Sequence, residues 1–184
     1  MSDALWRAAT EHAFLLAVRD DAITPAAFDR WLVQDAHFVT DLLEFQALLL
    51  ARAPRPAQRV LASGCVALVD ELDWFAGQAS ERGLDLTAAR LPATDDYAGL
   101  LDRLDAAPPA VALTALWVIE RVYLDAWTLA SGSAAFAAFT EHWTTPEFAD
   151  YVDDLRAVAD PDAHADTVAD VLRCEIAFWD AALS

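Results

Sequence analysis

The sequence predicts an all-α fold, a single bundle of seven or eight helices. Apolar residues recur at intervals of three and four along nearly the whole chain of 184 residues, which places them on one face of a helix. No stretch of about six residues alternates strictly between apolar and polar, as a half-buried strand does. The breaks between helices are short and no repeat is visible, so we expect one domain over residues 1–184.

The helix boundaries follow, in order along the chain, from capping residues and turn formers. Three helices are expected to begin where a polar residue precedes proline, because the first helical N–H needs no partner within the helix; these starts are Thr24-Pro25, Thr145-Pro146 and Asp160-Pro161. The remaining breaks are Asp20-Asp21, Pro54-Arg55-Pro56, Gly83 to Pro92, Ala107-Pro108-Pro109 and Ser131-Gly132-Ser133. The predicted helices are Ser2–Arg19, Pro25–Arg52, Pro56–Arg82, Thr94–Asp105, Pro109–Ala130, Ala134–Trp143, Pro146–Ala159 and Asp162–Ala182.

The chain is strongly acidic. Its 12 basic residues, all Arg, stand against 30 Asp and Glu, and the formal net charge is −18. Charge repulsion makes nucleic acids and anionic membrane surfaces poor partners. No apolar run approaches the roughly 18–20 residues that a membrane span requires. We therefore expect neither nucleic acid nor membrane as a partner, and the lack of Lys excludes Schiff-base chemistry.

The N-terminus and the two cysteines argue for an intracellular protein without disulfides. Met1–Leu5 contains Asp3 and no basic run before an apolar stretch, so we expect no signal peptide and a cytoplasmic location. Cys65 and Cys174 do not form a CxxC pair, which disfavours a disulfide framework or structural zinc. Cys65 is expected in the core, and Cys174 points about 100° away from Glu175. Neither cysteine is predicted to be catalytic.

A carboxylate at position 35 stands where helical periodicity predicts burial. Asp35 follows Trp31 and Leu32 by four and three residues, and Phe38 and Val39 follow it at the same spacings. On a helix it therefore lies within an apolar stripe. An ionised carboxylate buried without a partner is very unfavourable, so such a group must find donors or shift its pKa.

Two further acids repeat this pattern, and a third does so more weakly. Glu120 and Glu175 each lie between aromatic and aliphatic residues three and four positions away, whereas Glu71 has fewer apolar neighbours. Acids from several helices that meet inside a bundle can act as a general acid and base, bind an amine or amidine-like ring, or hold a metal. The alternative is that each acid is paired with a buried Arg, for instance Arg121 or Arg173.

Metal binding is the weaker of these interpretations. A dinuclear site usually includes Glu-x-x-His on an apolar face, and that spacing is absent. Only His12 appears on an apolar face, where a lone histidine is more often a hydrogen-bonded core residue than a ligand. No glycine-rich phosphate loop is present either. We expect no cofactor and no metal.

Several segments resemble the TenA family, whose members have a haem-oxygenase-like helical fold. The N-terminal resemblance is the longest, and shorter ones follow in order over nearly the whole chain. The segments are Leu5-Trp6, Thr10 to Leu15, Phe28 to Phe38, Asp96-Tyr97, Trp143 to Phe148 and Glu175 to Asp180. TenA proteins are thiamin-salvage enzymes that release the amino group of an aminomethylpyrimidine or split thiamin.

The resemblance implies roles for individual residues. Asp35 matches the aspartate that binds the aminopyrimidine, Tyr97 matches a tyrosine of the pocket, and Glu175 matches the C-terminal catalytic glutamate. The family's common form has a nucleophilic Cys in the helix after the tyrosine, but the predicted helix Pro109–Ala130 has none. The segment around Glu120 resembles the second form, in which a glutamate replaces that cysteine.

Two tyrosines of the common form are also replaced here. Phe38 and Trp143 stand where that form has hydroxyl groups, which favours the alternative of a binding protein without competent chemistry. A carboxylate-bridged di-iron oxidase of the same fold, with His12 as a ligand, is a further alternative.

The preferred hypothesis is hydrolysis of an aminomethylpyrimidine or its N-formyl derivative, with Glu120 and Glu175 as acid and base. Asp35 would bind the ring nitrogen and exocyclic amine. The ring would stack among aromatic residues, drawn from Phe38, Trp74, Tyr97, Trp117, Tyr123, Trp143 and Phe178. A homo-oligomer, dimer or tetramer, is expected from the resemblance.

Overall fold

The computed structural model describes residues 3–184, and this part of the chain contains nine α-helices and no strand. The prediction of an all-α fold is confirmed. The helices are α1 (Asp3–Thr10), α2 (Ala13–Arg19), α3 (Pro25–Arg52), α4 (Arg55–Arg82), α5 (Pro92–Asp105), α6 (Pro109–Ala130), α7 (Ala137–His142), α8 (Pro146–Arg156) and α9 (Ala165–Leu183).

The first predicted helix is wrong as a single element, because the chain breaks between α1 and α2. His12 has an extended backbone, and its Nδ1 accepts a hydrogen bond from the N–H of Phe14 at 3.2 Å, which caps α2. Both helices pack against α6 and α9, so the apolar spacing continues across the break and does not reveal it. The predicted start at Ser2 lies outside the described residues.

Other boundaries agree closely, except near the C-terminal third. Both α3 and α6 have the predicted bounds, and the Thr24 hydroxyl caps α3 by accepting the N–H of Ala27. The predicted start at Asp160-Pro161 is wrong, because the Asp160 carboxylate accepts the N–H of Ala163 and forms a turn. Helix α8 already ends at Arg156, before the predicted end at Ala159, and α9 begins only at Ala165.

Helix α6 lies at the centre of the bundle. It packs against α1, α2, α3, α5, α7, α8 and α9, and most of its residues are buried. Helices α3 and α4 form a long pair on one side. No helix among residues 3–184 combines the length and apolar character needed to cross a membrane. Polar groups on α6 are therefore enclosed on most sides by other helices.

Candidate active site

Two buried carboxylates are each held by a tyrosine hydroxyl from another helix. Asp35 on α3 is fully buried, and its Oδ1 accepts a hydrogen bond from Tyr123 on α6. Glu175 on α9 is also fully buried, and its Oε1 accepts a hydrogen bond of 2.5 Å from Tyr97 on α5. The second oxygen of each carboxylate is buried and has no hydrogen-bond partner within the described part of the chain. Unsatisfied buried oxygens are rare in proteins and are typical of functional sites.

A cavity of about 310 Å³ is formed by residues of α4, α6, α7 and α8 and the segment between α7 and α8. This volume is large enough for a small aromatic ring with its substituents. The lining residues are Gly64, Ala67, Leu68, Asp70, Glu71, Glu120, His142, Trp143, Thr145, Glu147, Phe148 and Tyr151. Glu120 thus reaches the cavity, whereas Asp35 and Glu175 lie outside its lining.

The two more buried carboxylates of the cavity differ in their partners. Trp143 donates its indole N–H to Glu71 Oε1 at 2.8 Å, and His142 Nε2 lies 3.9 Å from the same oxygen. Glu120 is 7% exposed, and within residues 3–184 no group donates a hydrogen bond to its carboxylate. Glu120 is therefore the acid whose bonding capacity is left to whatever occupies the cavity.

The four acids influence one another electrostatically. Burial raises the pKa of Glu71 to about 7 and the pKa values of Glu120 and Glu175 to about 8. The charges of Glu71 and Glu175 further raise the pKa of Glu120. Burial also raises the pKa of Asp35 well above its usual value, against the opposing effect of the Tyr123 hydrogen bond. Near neutral pH Glu120 and Glu175 are therefore mostly protonated and Glu71 is partly ionised, so the group contains proton donors and one carboxyl that readily accepts a proton.

Four aromatic rings pack together beside the two tyrosine–carboxylate pairs. The ring of Phe38 lies 4.5 Å from that of Tyr97, 5.9 Å from Phe178 and 6.3 Å from Tyr123, measured between ring centroids. Trp143 lies 6.0 Å from Tyr123 and also lines the cavity. The rings of Phe38, Tyr97, Tyr123 and Phe178 thus pack together at Asp35 and Glu175, and of these five predicted ring contacts only Trp143 lines the cavity.

Trp117 is not brought to the cavity. Its ring stacks on Trp6 of α1 at 6.2 Å, and the Arg156 guanidinium lies 5.3 Å from it on α8. Although Trp117 precedes Glu120 by only three residues, the two side chains differ by about 60° around α6. That rotation is enough to direct the indole toward α1. Trp74 does not line the cavity either, but it packs edge-on against Trp143, which does.

Tyr151 and Gln46 are site residues that the sequence analysis missed. Tyr151 lines the cavity and donates its hydroxyl to Gln46 Oε1 at 3.2 Å. Gln46 is fully buried, and its Nε2 donates to the carbonyl of Leu61. The criterion that identified the acids also applies to Gln46, because Leu42 and Leu49 flank it at helical spacing. A search restricted to ionisable residues overlooks this signal.

The two arginines considered as partners of the buried acids bind elsewhere. Arg121 pairs with Asp125 at 2.9 Å, and Arg173 pairs with Asp170 at 2.7 Å. Among residues 3–184 no arginine forms an ion pair with any of the four acids. The explanation by buried Arg pairs is therefore wrong.

The histidine and cysteine side chains considered as metal ligands or nucleophiles lie in other surroundings than the sequence suggests. His12 contacts Asp180 through Nε2 at 3.2 Å, besides capping α2. No group of three or more His, Cys, Asp or Glu side chains in the described part of the chain is arranged to hold a metal ion. Cys65 and Cys174 are both free and half-buried, so the prediction that Cys65 belongs to the core is wrong.

The helical bundle around these acids is a haem-oxygenase-like fold. A domain from Shewanella denitrificans described by that fold name matches at a TM-score of 0.75 and 15% identity, covering 98% of this chain and 88% of that one. A TenA homologue from Pyrococcus furiosus matches at a TM-score of 0.90 and 26% identity, with 98% and 95% covered.

Sequence comparison gives the family. The model of the TENA/THI-4/PQQC family matches residues 2–184. A "Probable bifunctional TENA-E protein" of Glycine max is 32% identical over 168 residues, covering 84% of this chain and 73% of that protein. The chain belongs to the TENA/THI-4/PQQC family, as the resemblance predicts.

Proposed function

We propose that this protein hydrolyses an aminomethylpyrimidine or its N-formyl derivative in thiamin salvage, without a cofactor. The observation that carries the proposal is Glu120, a buried carboxylate that faces a cavity of about 310 Å³ and receives no hydrogen bond from residues 3–184. Family membership supports thiamin salvage as the general role. The relative named TENA-E supports the same general role.

Asp35 is proposed to bind the pyrimidine, although it lies outside the lining of the cavity; the charges of Glu71, which lines the cavity, and of Glu175 act on it. The Oδ2 of Asp35 is buried and has no hydrogen-bond partner within residues 3–184, while Tyr123 occupies Oδ1. A ring nitrogen and an exocyclic amine can supply the missing donors in a charge-assisted, two-point hydrogen bond. Phe38 and Phe178, whose ring centroids lie 5.9 Å apart, are proposed to contact the electron-poor ring of the ligand.

Glu120 and Glu175 are proposed to divide the proton transfers. One removes a proton from water, whose oxygen bonds to the carbon that carries the amine, or to the formyl carbon of the derivative. The carbon–nitrogen bond breaks, and the other glutamate protonates the departing amine. Their raised pKa values, both about 8, keep a proton donor available near neutral pH.

Turnover of three compounds tests this function: thiamin, the aminomethylpyrimidine and its N-formyl derivative. Because the family's sulfur nucleophile is absent, we expect greater activity on either simple pyrimidine than on thiamin. Glu120→Gln keeps the side-chain shape but removes proton transfer, so turnover should fall about a hundred- to ten-thousandfold while ligand still binds. Glu81→Gln, an exposed change on α4, is the matched control.

Two results would contradict the proposal. A preference for thiamin, or full activity of Glu120→Gln, would mean that the chemistry does not depend on this carboxylate. Binding of all three compounds without turnover would instead identify a small-molecule binding protein, the alternative favoured by the replacement of two tyrosines at Phe38 and Trp143.

A further inference from the structure

The cavity is lined by acids and by no arginine. Asp70 and Glu147 are exposed, and Glu71 and Glu120 are more buried. His142 is the only basic residue type in the lining, and burial lowers its pKa to about 4, so it is neutral at physiological pH. Sites that bind phosphate use Arg, Lys or backbone N–H groups. The side chains of this lining provide no cation that could balance a phosphate group. The first turn of α8 also lines the cavity, but Pro146 has no N–H and the N–H of Phe148 is donated to the Thr145 hydroxyl.

Glu71 is fixed on one side and open on the other. The Trp143 indole holds its Oε1, and the neighbouring His142 ring stacks on Trp74 with ring centroids 4.0 Å apart. No residue among 3–184 donates a hydrogen bond to Glu71 Oε2. This carboxylate and that of Glu120 therefore line the same cavity, each able to accept a hydrogen bond from a ligand.

We propose that Glu71 contacts the substrate and forms, with Glu120, a pair of carboxylates that selects amino-bearing pyrimidines and excludes their phosphate esters. This inference rests on the proposed function, because it concerns the ligand of the same cavity. An amine donates hydrogen bonds to both carboxylates, and an ammonium group also balances their charge. A phosphate ester finds no arginine in this lining to balance its charge, and the acidic residues of the lining oppose its binding.

Binding of the probes to the whole chain carrying Glu175→Gln, a change that the proposed function expects to stop turnover, is measured by titration calorimetry and tests the selection. The α4 variants are made in the same background. The probes are the aminomethylpyrimidine, the corresponding hydroxymethylpyrimidine and the phosphate ester of that alcohol. We expect affinity to fall in this order, with the ester at least about tenfold weaker than the alcohol. An ester that binds as tightly as the alcohol would overturn the selection.

Variants of α4 test the role of Glu71. Glu71→Gln removes the charge but keeps a group that the Trp143 indole can contact, so affinity for the amine should fall about tenfold and the difference between alcohol and ester should shrink. Asp73→Asn makes the same charge change at an exposed position of α4 outside the cavity and should alter neither. Unchanged affinities in Glu71→Gln would overturn the inference.

Failure of the selection by the carboxylate pair can be distinguished from failure of the proposed hydrolysis. If the expected order of affinities is found and depends on Glu71, but no pyrimidine is hydrolysed, the carboxylate pair stands and the proposed reaction is wrong. If the pyrimidines are hydrolysed but the ester binds equally well, the reaction stands and the selection is wrong.

Discussion

At the scale of residues, the four buried carboxylates differ in the donors that hold them. Phenol hydroxyls hold Asp35 and Glu175, and an indole N–H holds Glu71. These donors are neutral, so they orient a carboxylate without cancelling its charge as an arginine would. The site consequently retains its attraction for a ligand that carries its own donors or positive charge.

Asp35→Asn should weaken pyrimidine binding more than it slows the reaction. The substitution removes the charge from a hydrogen bond that is made in the ground state, so we expect Kd to rise about ten- to hundredfold and kcat to change less. Titration calorimetry and steady-state kinetics together separate the two effects. Glu44→Gln, an exposed change on the same helix, should leave both constants unchanged. A loss confined to kcat would contradict the assigned role.

Replacing either cysteine should leave turnover nearly intact. Burial raises the pKa of Cys65 and brings that of Cys174 to about 11, so both thiols stay protonated at neutral pH and are weak nucleophiles. Cys65→Ser and Cys174→Ser should therefore keep turnover within a few-fold of the original. A loss above about a hundredfold in a variant that circular dichroism shows to be folded would identify a nucleophile.

At the scale of helices, the sequence predicts which acids are buried but not how they pair. The burial of Asp35, Glu120 and Glu175 follows from neighbours on the same helix, so periodicity is sufficient. The pairing of Glu71 with Trp143 joins α4 to the residue after α7, which depends on how helices are placed in space. Trp117 also shows that burial can be predicted when contacts between helices cannot, because a rotation of about 60° around α6 directs it away from the cavity.

The close approach of α4 to its neighbours depends on Gly64. A methyl group at this position would overlap the Gln46 amide and the Tyr151 hydroxyl, and these groups are held by hydrogen bonds to each other and to Leu61. We expect Gly64→Ala to destabilise the fold by about 1–3 kcal/mol. Because Gly64 and Tyr151 both line the cavity, ligand affinity should fall as well. Thermal unfolding and calorimetry measure the two effects.

Gly77 provides the matched control on the same helix. A methyl group there meets no atom within 4 Å, so Gly77→Ala should stabilise the protein by about 0.5–1 kcal/mol through helix propensity alone. Equal behaviour of the two alanine variants would show that the contact at Gly64 is not tight.

At the scale of the whole molecule, the net charge of −18 and the buried acids act in the same direction. Raising the pH ionises carboxyls inside the bundle and adds to the mutual repulsion of the surface acids. The buried carboxyls that are the candidate catalytic groups therefore lower the stability of the folded state when they ionise. Opposition of this kind between stability and function is common at active sites.

Stability should therefore decrease as pH rises through neutrality. The pKa values of Glu71, Glu120 and Glu175 are raised from 4.5 to about 7, about 8 and about 8, so between these limits the native state binds more protons than the unfolded chain. The slope of unfolding free energy with pH is then negative. The contribution of these groups to stability is complete below about pH 4.5 and is lost as the pH passes about 7–8.

Calorimetric scans at constant ionic strength should show a Tm several degrees lower at about pH 8.5 than at about pH 5.5. Glu120→Gln should raise Tm at the higher pH and change it little at the lower one, whereas Glu81→Gln should not alter the slope. A Tm that rises over this interval would show that the buried glutamates are ionised in the folded protein throughout.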